Sequence, residues 1–196
     1  MNSVGDSVGL LLAAGAGRRM GRPKALVDTW LVDAVTTLHE GGCARITVVL
    51  GASAEEARPL LDGYDVDVVV AENWAEGMGA SLRTGLQSLT TDAAAALVTL
   101  VDLPDVGPDV VRRLLDRPVS ADTLARATYA GTPGHPVLIG WDHWAGVIES
   151  AIGDQGARAY LGSHQVELVE CGDLATGRDV DVPTPSNPTR GQPAPE

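Results

Sequence analysis

The sequence predicts a three-layer α/β domain, helices covering both faces of a mostly parallel sheet. Two observations predict it. Apolar, β-branched runs alternate with stretches of helical periodicity at the spacing of βαβ units. The strand runs are apolar throughout rather than at every second position, as strands buried on both faces require. The 196 residues suit one buried core, and the absence of Phe leaves Leu, Val and Ala to fill it.

Val8 to Ala14 reads as the first strand, feeding a loop. Leu31, Ala34, Val35 and Leu38 follow the i, i+3, i+4, i+7 spacing of an amphipathic helix, stopped by Gly41-Gly42. Arg45 to Leu50 is a second strand closed by Gly51, followed by a short helix from Ala54 to Leu61. Val66 to Val70 gives a third strand, Leu82, Leu86 and Leu89 one face of a helix, and Ala95 to Val101 a fourth strand ending at Asp102. Val110, Val111, Leu114 and Leu115 mark the next helix. Beyond Arg117 the pattern changes to short strands at Leu124 to Ala130 and His135 to Ile139, joined through the turn-forming Gly131-Thr-Pro-Gly134 and read as an inserted or appended subsite. Helical stretches at Trp141 to Ser150 and Gln155 to Leu161 precede strand patterns at Val166 to Val169 and near Val180. The expected domain spans residues 1–182. Residues 183–196, rich in Pro and without apolar periodicity, read as a disordered tail.

Fourteen basic residues against 26 acidic ones give a net charge of −12, which disfavours nucleic acid and anionic membrane surfaces as partners. The two cysteines, Cys43 and Cys171, form no CxxC pair, and no apolar run reaches the length of a membrane span. A cytoplasmic protein is expected. The basic residues are uneven, however: Arg18, Arg19, Arg22 and Lys24 fall in one acid-free window, and Lys24 is the only lysine of the chain.

That window belongs to Leu12-Ala-Ala-Gly15-Ala-Gly17-Arg18-Arg19-Met20-Gly21-Arg22-Pro23-Lys24, a glycine-rich loop directly after a buried strand. Glycines let the backbone approach a ligand and expose its N–H groups, while Arg and Lys supply charge for phosphates. The loop is not a P-loop, since Lys24 follows Pro23. It also misses the dinucleotide fingerprint, with Met20 at the third glycine position and no acid after the second strand to hold a ribose. Asp102, at the end of the fourth strand, occupies a ligand-binding edge. Taken alone, these residues also suit simpler roles: a strand-to-helix turn for Gly15 and Gly17, a solvated charge for Lys24, and a cap for Asp102.

The loop resembles the LAAGxGxRMGxPK signature of the MobA-like nucleotidyltransferases. Asn73-Trp-Ala-Glu-Gly77-Met-Gly-Ala-Ser81-Leu82, Gly134-His135-Pro136 and Gly153-Asp154-Gln-Gly156-Ala-Arg158 are similar to blocks of the molybdenum cofactor cytidylyltransferase branch. The resemblance covers residues 8–185, and Ala25 to Trp30 is shorter than the family's usual hairpin. It implies a Rossmann-like fold of the nucleotide-diphospho-sugar transferase type. It further implies that the backbone of Leu12, Ala13, Ala14 and Gly15 cradles the base, that Arg19 and Lys24 hold the triphosphate, that Gly17 and Arg18 belong to the same nucleotide-binding loop, and that Ser81 lies near the nucleoside. Asp102 and Asp181 would hold Mg²⁺, which takes one or two carboxylates besides phosphate oxygens. Lys24, Arg19 and Asp102 would carry catalysis. His135, Asp154 and Arg158 would contact the acceptor, although each also suits a turn, cap or surface role. Asp105 reads as a turn residue, and His39, His143 and His164 lack metal-ligand spacing.

The expected activity is transfer of a nucleotidyl group from a nucleoside triphosphate, CTP first, to a phosphorylated acceptor of the molybdopterin kind, with a molybdenum enzyme as a further partner. Guanylyl transfer and a sugar-phosphate acceptor stay open. So do an NAD(P)H-dependent oxidoreductase of the nicotine blue type and a non-catalytic nucleotide-binding role in molybdenum-enzyme maturation.

Overall fold

The computed structural model describes residues 7–90 and 93–181. Seven strands form one sheet: β1 (Ser7–Ala13), β2 (Arg45–Leu50), β3 (Asp67–Val70), β4 (Ala95–Leu100), β5 (Leu124–Tyr129), β6 (Thr132–Gly140) and β7 (Glu167–Glu170). Their order is β3-β2-β1-β4-β6-β5-β7. Only β6 is reversed, pairing antiparallel with both β4 and β5, while the remaining neighbours run parallel. The mostly parallel three-layer fold is thus as expected.

Helices α1 (Trp30–Glu40), α2 (Ala54–Ala57) and α4 (Pro108–Leu115) cover one face. Helices α3 (Met78–Ser88), α5 (Trp141–Ser150) and α6 (Arg158–Gly162) cover the other. The two-residue period of a strand splits β1 between them: Leu11 and Ala13 enter the core under α1 and α4, whereas Val8, Leu10 and Leu12 enter the core under α3 and α5. Every residue of β1 is buried, which explains its unbroken apolar run. Helix α3 lies close on the sheet because Gly85 faces it; a Cβ there would sit 2.8 Å from Leu10 Cδ1 and 2.9 Å from Val49 Cγ2.

Several elements differ from the sequence reading for local reasons. The helix expected over Ala54 to Leu61 is α only to Ala57, then 3₁₀ over Arg58–Leu61, since Pro59 has no N–H to continue the ladder. The β5–β6 hairpin turns at Ala130 and Gly131, both left-handed with φ of 50° and 79°, so Thr132, Pro133 and Gly134 belong to β6 and not to the turn. Residues beyond Arg117 are no appended unit, because β6 pairs directly with β4. The helical stretch after Ile152 divides into a 3₁₀ turn over Gly153–Gln155 and α6. No strand forms at Val180. That segment has no regular secondary structure, and it is tied in by the Val180 N–H donating to the Asp102 carbonyl at 3.0 Å. The expected tail, residues 183–196, lies outside the described residues.

The close approach at Gly85 makes a stability prediction. Gly85→Ala gains about 1 kcal/mol of helix propensity, yet overpacking should leave it destabilised by roughly 1–3 kcal/mol. Leu10→Ala should cost about 2–5 kcal/mol. The double variant should lose less than the sum, as measured by urea unfolding, because each change relieves the other.

Candidate active site

The site is built at the carboxyl edge of the sheet, where β1 and β4 end side by side. Their ladder continues past the strand ends: Val101 N–H donates to the Leu12 carbonyl at 3.2 Å, and Ala52 N–H, after β2, donates to the Ala14 carbonyl at 3.1 Å. These bonds fix the start of the glycine-rich loop. Gly17 has φ of +57°, and a Cβ there would lie 1.9 Å from the Arg22 carbonyl oxygen, so only glycine closes this turn. Gly21 N–H donates back to the Gly17 carbonyl at 2.9 Å, and Met20 tucks its side chain into the protein. Gly15 has open space where a side chain would be, while Arg18 and Arg19 project into solvent.

The loop delivers Lys24 to the start of a 3₁₀ turn over Lys24–Leu26. Its ammonium donates to Asp102 Oδ2 and, at 2.8 Å, to Asp181 Oδ1. Arg19 pairs with the other oxygen of Asp181 at 2.7 Å. The Lys24 and Asp102 side chains are only 17% and 10% exposed, so this is a partly desolvated cluster, not a surface ion pair. Burial, the largest influence, would lower the Lys24 pKa, but hydrogen bonds to the two carboxylates outweigh it and the net shift is upward. The hydrogen bond from Lys24 holds Asp181 below the usual carboxylate range against some desolvation, helped by the charges of Lys24 and Arg19.

Asp102, Asp179 and Asp181 each place a carboxylate oxygen within 4.8 Å of the others. Asp102 Oδ1 is buried and has no hydrogen-bond partner. An unsatisfied buried carboxylate oxygen is costly unless something binds it. The all-oxygen donor set suits a hard divalent cation, so the residues fit Mg²⁺. The acids come from distant segments stapled together by the backbone. Besides the Val180–Asp102 bond, Asp105 Oδ2 accepts from Thr176 N–H (2.7 Å) and Oγ1 (2.5 Å), so Asp105 holds the C-terminal segment in place rather than merely turning the chain. Asp179 went unread in the sequence. Its signal was the Asp-Val-Asp alternation, which puts 179 and 181 on one side of an extended chain.

A second feature lies beside it on the α3 side. Leu12, Leu82, Val98, Val137, Ile139 and Leu161 line a pocket that also carries Arg126, His135 and Arg158. The β4–β6 register, with Val98 opposite Val137, brings His135 to the same edge as Leu100. Arg126 donates through Nε and Nη2 to the Gly134 carbonyl, at 3.3 and 3.0 Å, and no carboxylate pairs with it among the described residues. Burial lowers its pKa, as does the charge of Arg158. Burial together with Arg126 pushes His135 down to about 4, so the imidazole is neutral at pH 7. Arg126 was missed in the sequence, although a lone charge inside the apolar run Leu124 to Tyr129 was a visible signal. Ser81 lies buried in the first turns of α3, whereas Asp154 sets its carboxylate beside Gly77 and not in this pocket.

Residues 9–168 match the MobA-like NTP transferase domain. The chain belongs to that family. It is 39% identical over 194 residues to the nicotine blue oxidoreductase of Paenarthrobacter nicotinovorans, covering 89% of this chain and 91% of that one. It is 30% identical over 143 residues to the molybdenum cofactor guanylyltransferase of Rhodobacter capsulatus, covering 71% of this chain and 66% of the relative. Among solved structures, Rv0371c from Mycobacterium tuberculosis H37Rv superposes with a TM-score of 0.77 at 28% identity, over 92% of this chain and 95% of that one. Rv0371c has also been solved in complex with manganese, matching with a TM-score of 0.72 at 25% identity over 89% and 94% of the two chains. No described helix is long and apolar enough to cross a membrane.

The neutral His135 makes a pH prediction. Its folded pKa lies below the ordinary value of 6.5, so its contribution to stability is complete above pH 6.5 and is lost as the pH falls towards 4. The loss should reach no more than about 3 kcal/mol. Denaturant midpoints measured across this range should flatten in His135→Gln.

Proposed function

We propose that this chain transfers a nucleotidyl group from a nucleoside triphosphate, CTP by preference, to the phosphate of a small acceptor of the molybdopterin kind. The observation that carries the reading is the cluster of Lys24, Asp102 and Asp181 at the mouth of the glycine-rich loop, with Asp102 Oδ1 buried and unpartnered. A cation-and-carboxylate cluster beside a loop rich in exposed backbone N–H groups suits a metal-bound triphosphate.

In this reading the backbone of Leu12, Ala13, Ala14 and Gly15 receives the base, and Ser81 closes the nucleoside side. Gly17, Arg18 and Arg19 present N–H groups and charge to the triphosphate. An acceptor phosphate oxygen attacks the α-phosphorus; the new P–O bond forms as the bond to the β-phosphate oxygen breaks, and pyrophosphate leaves with the electron pair. The nucleophile is already anionic, so no protein base is needed, and rate comes from in-line positioning and charge neutralisation. Lys24 and Arg19 neutralise the departing pyrophosphate. Asp102, Asp181 and Asp179 would hold Mg²⁺, which when bound supplies Lewis-acid polarisation of the phosphoryl oxygens. On the acceptor side, Arg126 and Arg158 offer guanidinium groups for the phosphate, while His135 stays neutral and donates a hydrogen bond without adding charge. Asp154 shapes the neighbouring turn.

A second reading follows from the 39% identity to a protein named an oxidoreductase. Against it, the loop lacks the third glycine of a dinucleotide site, and β2 ends at Leu50-Gly51 with no acid for a ribose. Nor does hydride transfer need three clustered carboxylates.

Two measurements test the proposal. Asp102→Asn should lower pyrophosphate release about 100- to 1000-fold with the circular dichroism spectrum unchanged; turnover near the wild-type rate would overturn the assignment, and NADPH oxidation by the wild type without any nucleotidyl transfer would establish the oxidoreductase. Arg126→Gln should raise the acceptor KM by roughly tenfold while kcat falls much less, since a binding contact is lost from ground and transition states alike.

A further inference from the structure

The chain contains thirteen arginines and one lysine. That lysine is placed where a metal ion would be expected. Its Nζ contacts Asp102 Oδ2 and Asp181 Oδ1, carboxylates of the same cluster whose oxygens converge within 4.8 Å. An ammonium is a compact point charge with donors in three directions, and it can replace a small spherical cation among carboxylates. A planar guanidinium fork cannot. The other salt bridges described here are all made by arginine, Arg19 on the outer oxygen of Asp181 included, and the lysine alone reaches between two of the carboxylates.

We propose that Lys24 is an internal counter-cation: in the nucleotide-free protein its ammonium and a divalent ion are alternative occupants of the Asp102–Asp181 cluster, and the triphosphate exchanges them by drawing Lys24 onto its phosphates. The inference rests on the metal-binding reading above and adds an order to it. Asp102, Asp179 and Asp181 carry three negative charges, and Arg19 already satisfies the outer oxygen of Asp181. With Lys24 in place, an incoming dication meets a neighbouring ammonium at contact distance and finds two of its ligand oxygens already taken. With Lys24 turned away, the cluster keeps its charge and the unpartnered Asp102 Oδ1 gains a neighbour free to share a ligand. Lys24 has the means to move: it follows the Gly17–Pro23 loop on a four-carbon stem, at the first position of a short 3₁₀ turn. Metal and triphosphate should therefore bind with positive coupling, each weak alone. A free divalent ion would not be held idle at the site, and a triphosphate without its metal would find Lys24 engaged.

Mn²⁺ is the probe. Titrations followed by loss of the free-ion electron paramagnetic resonance signal would compare the wild type with Lys24→Met and Lys24→Gln in the absence of nucleotide. A second arm would titrate the preformed Mn²⁺ complexes of α,β-methylene CTP and α,β-methylene GTP calorimetrically. Without nucleotide, both variants should bind Mn²⁺ about tenfold or more tightly than the wild type, within the usual range of coupling between sites. With the analogues the order should reverse, the wild type binding more tightly. Asp102→Asn should bind poorly in every arm, locating the ion. Equal nucleotide-free Mn²⁺ affinity in wild type and variants, with analogue binding intact in the wild type, would overturn the exchange while leaving the proposed function standing. Failure of the wild type to bind either Mn²⁺–nucleotide complex would instead remove the metal reading itself. Should Lys24→Met fail to fold, as read by thermal unfolding, Lys24→Gln carries the comparison.

Discussion

Hydrogen bonding along both edges of β1 is the constraint on which the rest of the structure depends. With β2 on one side and β4 on the other, β1 is paired along both edges, and its side chains are divided between two cores. A strand so enclosed must be apolar throughout, and it must release its chain at one fixed point on the carboxyl edge. The bonds to the Leu12 and Ala14 carbonyls carry that constraint beyond the strand, so the glycine-rich loop leaves in a set direction. Its position follows from the sheet, and the conformation of its backbone from Gly17.

Electrostatics act on a different scale. The chain is strongly acidic, yet Arg19 and Lys24 pair with the aspartate cluster, and Arg126 and Arg158 line the pocket on the α3 side. Such local concentrations of cationic groups draw anionic ligands to an otherwise acidic protein. The surrounding acidity also discourages polyanions too large to reach the edge alone.

The central strands β1, β2 and β4 were legible in the sequence because they are buried on both faces, which leaves continuous apolar runs. The second strand, Arg45–Leu50, is found with the bounds that were read, and α5 likewise. Legibility failed where the deciding force was not periodicity. Pro59 shortened α2 by removing one donor. The turn at Ala130 and Gly131 was hidden behind the stronger turn signals of Pro133 and Gly134. The segment at Val180 makes one backbone bond, to the Asp102 carbonyl, and is otherwise held by side chains, so it forms no ladder among the described residues. In the site, Asp102 was visible because it directly follows a strand end, and Lys24 because it is the only lysine of the chain and closes the glycine-rich loop. Asp179 and Arg126 carried weaker signals, an Asp-Val-Asp alternation and a lone charge in an apolar run, and what gives those signals meaning is the company the residues keep in space: two other aspartates in one case, an apolar pocket and a second guanidinium in the other.

The carboxylate cluster joins segments that are far apart along the chain: Lys24 is 78 positions from Asp102 and 157 from Asp181. The C-terminal member is held by Asp105, Thr176 and the Val180 N–H, none of which contributes an acid to the cluster. During synthesis, residue 181 leaves the ribosome after all seven strands have been made. A nascent chain can therefore complete its sheet while Asp102 is the only member of the cluster it has made. On the metal reading proposed above, the set of three carboxylates is complete only once this segment has docked, whereas the glycine-rich loop and Lys24 are among the first parts of the chain to be made.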